Sequence, residues 1–246
     1  RQMCIRDRDK TDNNYSFLPI NRDTMSEVRL IQDDGTGAAT AELQLCTAHW
    51  YGGNAGQSCA NTVESISKLF GGLKIDGYYA IPMDEIPKLN HSVGGVTVTL
   101  LEDFQDIDRQ MKKGETLALS DEQAYRYIHD RYGVGDEKNT SRMKRQQQYM
   151  EAFFTKAKEK AKSDKAYVGQ LFREFEQTAT TNLTAKKISG LTNRLIKGTQ
   201  KGFFEIKGTS KIGKALGDGI DHAEFYPDKE SIIDVMTKIY GLKKRE

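Results

Sequence analysis

Tyr15-Ser16-Phe17-Leu18-Pro19-Ile20-Asn21-Arg22-Asp23-Thr24 is an apolar run that ends in a cluster of polar residues. The run reads as a buried strand, and the polar cluster stands where the chain leaves the sheet. Strand ends in mixed α/β folds are where ligands sit, so Arg22 and Asp23 draw notice by position before chemistry is considered.

Downstream, a Gly-rich stretch over residues 33–39 leads through residues 40–48 to His49-Trp50-Tyr51-Gly52-Gly53, a loop signal before a helix. Asn61 and Glu64 stand in capping-box spacing for a helix with Val63, Ile66, Leu69 and Phe70 on one face, stopped by Gly71 and Gly72. Residues 75–81 read as a strand, 84–89 as a short helix, and Gly94-Gly95 as a turn feeding an alternating strand to Leu100. Ser120 and Gln123 form a second capping box, for a helix that the loop from Gly133 to Asp136 breaks. A long amphipathic helix follows from Thr140 to about Lys162, with Met143, Met150, Phe153, Phe154 and Ala157 as its inner face. Helices over 164–177 and 184–196, a strand over 202–206 and a helix over 231–240 complete the chain. Strands and helices alternate, which predicts a layered α/β domain. Residues 1–8 show no periodicity or cap and read as an unrelated or mis-joined segment, leaving a single domain over residues 9–246 with a turn at 9–14.

The bulk properties exclude several functions. At 246 residues, 37% hydrophobic and 29% charged, the chain can bury a full core. A net charge of +2 lacks the basic excess of a general nucleic-acid binder, and the lysines over 156–165 read as a solvated helix face. Cys4, Cys46 and Cys59 follow no paired spacing; Cys46 and Cys59 are open to pairing in an exported protein or to standing as buried free thiols. His49, His91 and His222 lack zinc-ligand spacing. Gly94 and Gly95 precede a strand instead of bridging strand to helix, against a P-loop or dinucleotide fingerprint. No stretch approaches a membrane span or a signal peptide.

The segment from Arg131 to Gln146 carries the densest chemistry. Arg142, Arg145 and Gln146 share one helical face, and the first turn of a helix favours anions. Arg131 precedes the Gly133 to Gly135 loop, which can fold it back toward the same place. Guanidinium groups match phosphate oxygens bidentately, at about 1.5–3 kcal/mol per charge-assisted bond shielded from water. The competing reading is a row of solvated charges, the common fate of such residues, and spacing alone does not choose.

The order of motifs extends the comparison: Ile20-Asn21-Arg22-Asp23-Thr24, Ala48-His49-Trp50-Tyr51-Gly52-Gly53, Val93-Gly94-Gly95-Val96, Tyr127-Ile128-His129-Asp130-Arg131, Arg142-Met143-Lys144-Arg145-Gln146-Gln147, and later Phe225-Tyr226-Pro227-Asp228. In this order the chain resembles the LytR-CpsA-Psr family from about Asp9 to Glu246. The resemblance implies a three-layer α/β/α sandwich with a mixed central sheet, an upstream membrane anchor and an apolar tunnel for a polyprenyl chain. It implies a phosphotransferase on the extracytoplasmic face of the cell membrane, moving a glycopolymer from a polyprenyl-pyrophosphate carrier to peptidoglycan, with Mg2+ on the pyrophosphate. Carried over by position, Arg22, Asp23, Arg131 and Arg145 are the expected catalytic residues, and Arg142, Gln146 and His129 the expected substrate-binding ones.

Two departures qualify the resemblance. His129 stands where the family has the first arginine of an Arg-x-Arg pair, a residue type mostly neutral at pH 7. The family's magnesium-binding aspartates precede the Arg-Asp-Thr motif, where this sequence offers Asp9 and Asp12, which are not expected to replace them. The expectation is therefore a catalytic domain lacking its first strands, anchor and metal ligands. A non-catalytic binder of lipid-linked or anionic wall glycopolymer stands as the alternative.

Overall fold

The computed structural model describes residues 2–7, 14–32 and 34–240; Asp9 and Asp12 lie outside the described residues. In chain order, β1 (Gln2–Asp7), β2 (Tyr15–Ile20), β3 (Met25–Ile31) and β4 (Gly37–Gln44) lead into a 3-10 helix, Leu45–His49, and then α1 (Ala55–Leu69) and β5 (Tyr79–Ala80). A 3-10 turn, Met83–Glu85, opens α2 (Ile86–Ser92), followed by β6 (Thr97–Thr99), β7 (Thr116–Ala118), α3 (Asp121–His129), α4 (Asn139–Ser163) and α5 (Tyr167–Phe175). The chain ends with β8 (Thr180–Thr181), α6 (Ala185–Lys197), β9 (Gln200–Phe203), β10 (Gly208–Gly213), β11 (His222–Pro227) and α7 (Lys229–Tyr240). This is the expected α/β class. Two compact units divide it: residues 1–80 with 180–246, and residues 81–179.

The first unit is built on β2. Residues 2–7, which carry no sequence signal, pair as β1 antiparallel to β2, from Gln2 opposite Ile20 to Asp7 opposite Tyr15. On its other side β2 runs parallel to β9, which makes the sheet mixed. Phe17 is fully buried and stacks on Phe203 at 4.8 Å. Leu18 and Ile20 join Leu45, Ile66 and Phe70, and Val235, Met236 and Ile239 of α7, in a second cluster. Burial of side chains from both faces explains why the strand reads as a continuous apolar run.

Several elements of this unit differ from expectation for identifiable reasons. The Gly-rich stretch is the turn of a β3–β4 hairpin, with Gly35 at φ 84° and Asp34 Oδ1 accepting from the Thr36 amide at 2.8 Å. In β3, Glu27 and Arg29 face solvent in alternation with Val28 and Leu30, the two-residue period of a half-buried strand, which the sequence reading leaves out. Helix α1 starts at Ala55, capped by Asn54, whose Oδ1 accepts from the Gln57 amide at 3.0 Å. Asn61, expected as the cap, is buried in mid-helix and donates to Arg29 O at 2.9 Å and Ala48 O at 2.8 Å. The strand expected over 75–81 shrinks to Tyr79–Ala80, paired with Thr180–Thr181. The β10–β11 hairpin was not legible, because β10 is almost wholly exposed and carries no apolar alternation.

In the second unit the capping box at Ser120 holds: its Oγ accepts from the Gln123 amide at 3.2 Å while Gln123 Oε1 accepts from the Ser120 amide at 3.0 Å. The inner face of α4 is rotated from the expected one. Arg145, Tyr149, Phe153 and Ala161 are buried, whereas Met143 and Met150 are only partly covered. Lys156 and Lys160 also depart from a purely solvated face, donating to Gly95 O at 2.5 Å and Ser92 O at 2.6 Å just beyond and at the end of α2. Cys46 and Cys59 are free thiols.

Replacing Asn61 by Ala leaves two carbonyls without their donor. The loss is expected at about 2–3 kcal/mol of unfolding free energy, read from the urea midpoint at unchanged slope.

Candidate functional site

In the first unit, β2 ends in a side-chain-closed turn. Asn21 Oδ1 accepts from the Asp23 amide at 2.9 Å, and the Thr24 amide donates to Asn21 O at 3.1 Å. The next three carbonyls are each held from elsewhere: Arg22 O by the Cys46 amide at 3.0 Å, Asp23 O by the Phe225 amide at 2.8 Å, and Thr24 O by the Leu45 amide at 2.7 Å. The late Phe225-Tyr226-Pro227-Asp228 segment therefore braces the first motif. With its backbone fixed, the Arg22 side chain remains 48% exposed. Its Nε lies 3.6 Å from Asp23 Oδ1 and its Nη2 is 3.7 Å from Cys46 Sγ. Asp23 thus stands beside Arg22 as a carboxylate able to orient it without consuming its fork.

The same strand edges a small apolar recess of about 20 Å³ lined by Ser16, Leu18, Phe70, Leu73, Met236, Ile239 and Tyr240. One element therefore connects an apolar recess to an exposed guanidinium.

In the second unit the residues between Arg131 and Gln146 come together, but not as an open clamp. Arg145 is 1% exposed. Its Nη1 donates to Tyr127 O, its Nη2 donates to Asp130 O at 2.6 Å, and its Nε lies 2.6 Å from Glu102 Oε2. Phe104 and Tyr127 cover the guanidinium, with ring centroids 5.0 and 5.8 Å from Cζ. Burial pulls its pKa below the ordinary arginine value, and the Glu102 carboxylate opposes that shift. Burial also pushes the Tyr127 phenol up to about 12, keeping it a donor to Gln148 Oε1 at 2.5 Å.

Arg142 and Gln146 act on the same helix end: Arg142 Nη1 donates to His129 O at 3.5 Å and Gln146 Nε2 to Ile128 O at 2.9 Å. Four successive carbonyls at the end of α3 are thus met by side chains of α4. An α-helix leaves its last carbonyls without intrahelical donors and carries negative dipole there, so cations and amides are suited to the place. Sequence reasoning was right that the three residues share a face. It did not foresee that Arg145 is spent on the protein itself, nor that Glu102 is its partner, because no local pattern links residues so far apart in the chain.

His129 and Arg131 flank the carbonyl that Arg145 holds. His129 stacks on Tyr125 at 4.8 Å and its Nδ1 is 2.9 Å from Asp130 Oδ1. Arg131 lies over the Tyr132 ring at 4.3 Å and donates to its hydroxyl, and Tyr132 is 73% exposed. Arg131 Nε has no hydrogen-bond partner among the described residues.

No group of three or more His, Cys, Asp or Glu side chains able to hold a metal occurs among the described residues. Magnesium prefers octahedral oxygen ligation. The described side chains do not supply such a cage.

A model of the LytR_cpsA_psr family matches residues 3–238. The chain belongs to the LytR-CpsA-Psr family. No curated protein sequence matches it. Among solved structures, EF0465 from Enterococcus faecalis, described as a transcriptional regulator, is similar with a TM-score of 0.68 at 20% identity, over 95% of this chain and 80% of that one. TagV from B. subtilis gives 0.64 at 20% identity over 92% and 82%. TagT bound to LIIa-WTA gives 0.66 at 18% identity over 94% and 81%. The LytR-CpsA-Psr fold is therefore shared at low identity. Family membership links the chain to cell-wall glycopolymer transfer in general.

Arg145→Ala in this LytR-CpsA-Psr chain strands the largely covered Glu102 carboxylate and two carbonyls. It is expected to cost about 3–5 kcal/mol in chemical denaturation, whereas Arg131→Ala stays within about 0.5 kcal/mol.

Proposed function

We propose that the chain is a phosphotransferase that moves a cell-wall glycopolymer from a polyprenyl-pyrophosphate carrier to peptidoglycan, on the extracytoplasmic face of the cell membrane. The observation that carries this reading is β2, which runs from a small apolar recess beside the Leu18 and Ile20 cluster directly into the exposed Arg22. A lipid pyrophosphate makes the same pair of demands, an apolar chain joined to a diphosphate. TagT was solved bound to LIIa-WTA, which supports a glycopolymer as cargo. Because the carrier is a membrane lipid, the reaction belongs at the membrane, although no helix among the described residues is long and apolar enough to cross one.

In the proposed step an acceptor hydroxyl oxygen attacks the phosphorus that bears the glycopolymer. The bond from that phosphorus to the bridging oxygen breaks, polyprenyl phosphate leaves with the electron pair, and the hydroxyl proton is released. Arg22 is proposed to neutralise charge on the diphosphate, with Asp23 orienting it; Arg131 is proposed as a phosphate contact on its family motif alone. Arg142, Arg145 and Gln146 support the reaction by holding the end of α3 that carries His129 and Arg131. Magnesium is proposed as a counter-ion that arrives with the substrate phosphates.

The test is release of polyprenyl phosphate from a synthetic lipid-linked donor by the full chain. Arg22→Ala and Arg131→Ala are expected to slow release by roughly 10- to 100-fold each, the scale of one lost charge-assisted bond, without loss of stability. Unchanged release in both variants rejects the assignment. Saturable donor binding with no release, with or without added magnesium, establishes the non-catalytic binder instead.

A further inference from the structure

Trp50 is the single tryptophan of the chain, and it is 60% exposed. Among the described residues its indole makes no hydrogen bond and no ring or cation contact. An exposed indole forgoes the burial that normally stabilises so large a ring. Its backbone is nevertheless fixed. The Trp50 amide donates to Thr47 O at 2.8 Å and the Tyr51 amide to the same oxygen at 3.3 Å. Tyr51 packs against the cluster of Val28, Leu43 and Ala48. Gly52 lies so close to Ser58 that a Cβ there would collide with the Ser58 backbone, so the turn is clamped onto the first turn of α1. The ring is presented to solvent from a rigid base.

Its position supplies the second observation. Trp50 follows the 3-10 helix Leu45–His49, which contains Cys46, and the Cys46 thiol lies 3.7 Å from the Arg22 guanidinium. At a rise of about 2.0 Å and a third of a turn per residue, Trp50, the residue that ends the helix, stands roughly 8 Å along it from Cys46 and about a third of a turn around it. This is the scale of a disaccharide. The C–H face of a pyranose ring packs on an aromatic face and leaves its hydroxyls at the rim for water or polar groups.

We infer that Trp50 is a stacking platform for a pyranose ring of a glycan whose reacting end lies at Arg22. The inference rests on Arg22 as the phosphate contact of the proposed transferase. The shared chemistry is a pyranose; its source is either the first sugars of the donor or the amino-sugar backbone of the acceptor.

Because no other tryptophan is present, intrinsic fluorescence reports on this ring alone. The full chain is titrated with chitotetraose, as an acceptor-like glycan, and separately with geranyl-pyrophosphoryl-N-acetylglucosamine, as a soluble donor. Geranyl pyrophosphate is the sugar-free control. A saturable blue shift with protection from acrylamide quenching in the first arm assigns the acceptor, and in the second arm alone the donor sugar. No saturable change in either arm, or the same change with geranyl pyrophosphate, overturns the platform. In turnover assays Trp50→Ala is expected to raise the KM for the assigned glycan about three- to tenfold at unchanged kcat, the scale of one aromatic contact, and Trp50→Phe to restore most of it. A fall in kcat alone also overturns it. The fluorescence readout needs no turnover, so glycan binding without polyprenyl phosphate release defeats the transferase reading and leaves the platform standing. Release without a fluorescence response does the reverse.

Discussion

The end of α3 is the constraint on which the second unit depends. A helix that stops inside a protein exposes carbonyls that neither its own backbone nor solvent can satisfy. Here α4 runs beside that end and supplies Arg142, Arg145 and Gln146 to the carbonyls of Tyr127, Ile128, His129 and Asp130. Further along, Lys156 and Lys160 of the same helix reach the carbonyls of Gly95 and Ser92 beyond and at the end of α2. A long helix with cationic side chains on one flank thus terminates two others. The partly buried Glu102 balances the most enclosed of these charges, and Gly135, at φ 55°, leaves room for it.

That arrangement changes the meaning of the arginines. A guanidinium that donates to two carbonyls and faces a carboxylate has no fork left for a phosphate. Arg145 therefore acts on function by fixing where His129 and Arg131 emerge. Arg22 has the opposite character. Its backbone is anchored through three neighbouring carbonyls while its head group stays half in solvent, which suits a side chain that must meet a ligand.

Legibility in the sequence followed the range of the interactions. The Ser120 capping box, the apolar run of β2, the loop from Gly133 to Asp136 and the extent of α4 were readable because each is written within a few residues. The start of α1 was misplaced because Asn61 and Glu64 imitate a cap, whereas Asn61 serves two distant carbonyls and Asn54 is the actual cap. The β10–β11 hairpin escaped notice because its pairing, not its side-chain pattern, defines it. Among the candidate site residues, Arg22, Asp23, Arg142 and Arg145 were selected by position and motif. Glu102 and Cys46 were not, since only folding sets them beside the arginines, and Trp50 stood in a motif without its exposure being legible.

By itself the sequence determined the α/β class, the family motifs and their order, and the shared helical face of Arg142, Arg145 and Gln146. Periodicity and capping are local properties of a chain, and residues three and four apart on a helix must point the same way. Which way they point was decided only by the tertiary structure. The same guanidinium binds a phosphate or a helix end according to what the rest of the fold places before it, and burial beneath Phe104 beside Glu102 settled that choice for Arg145.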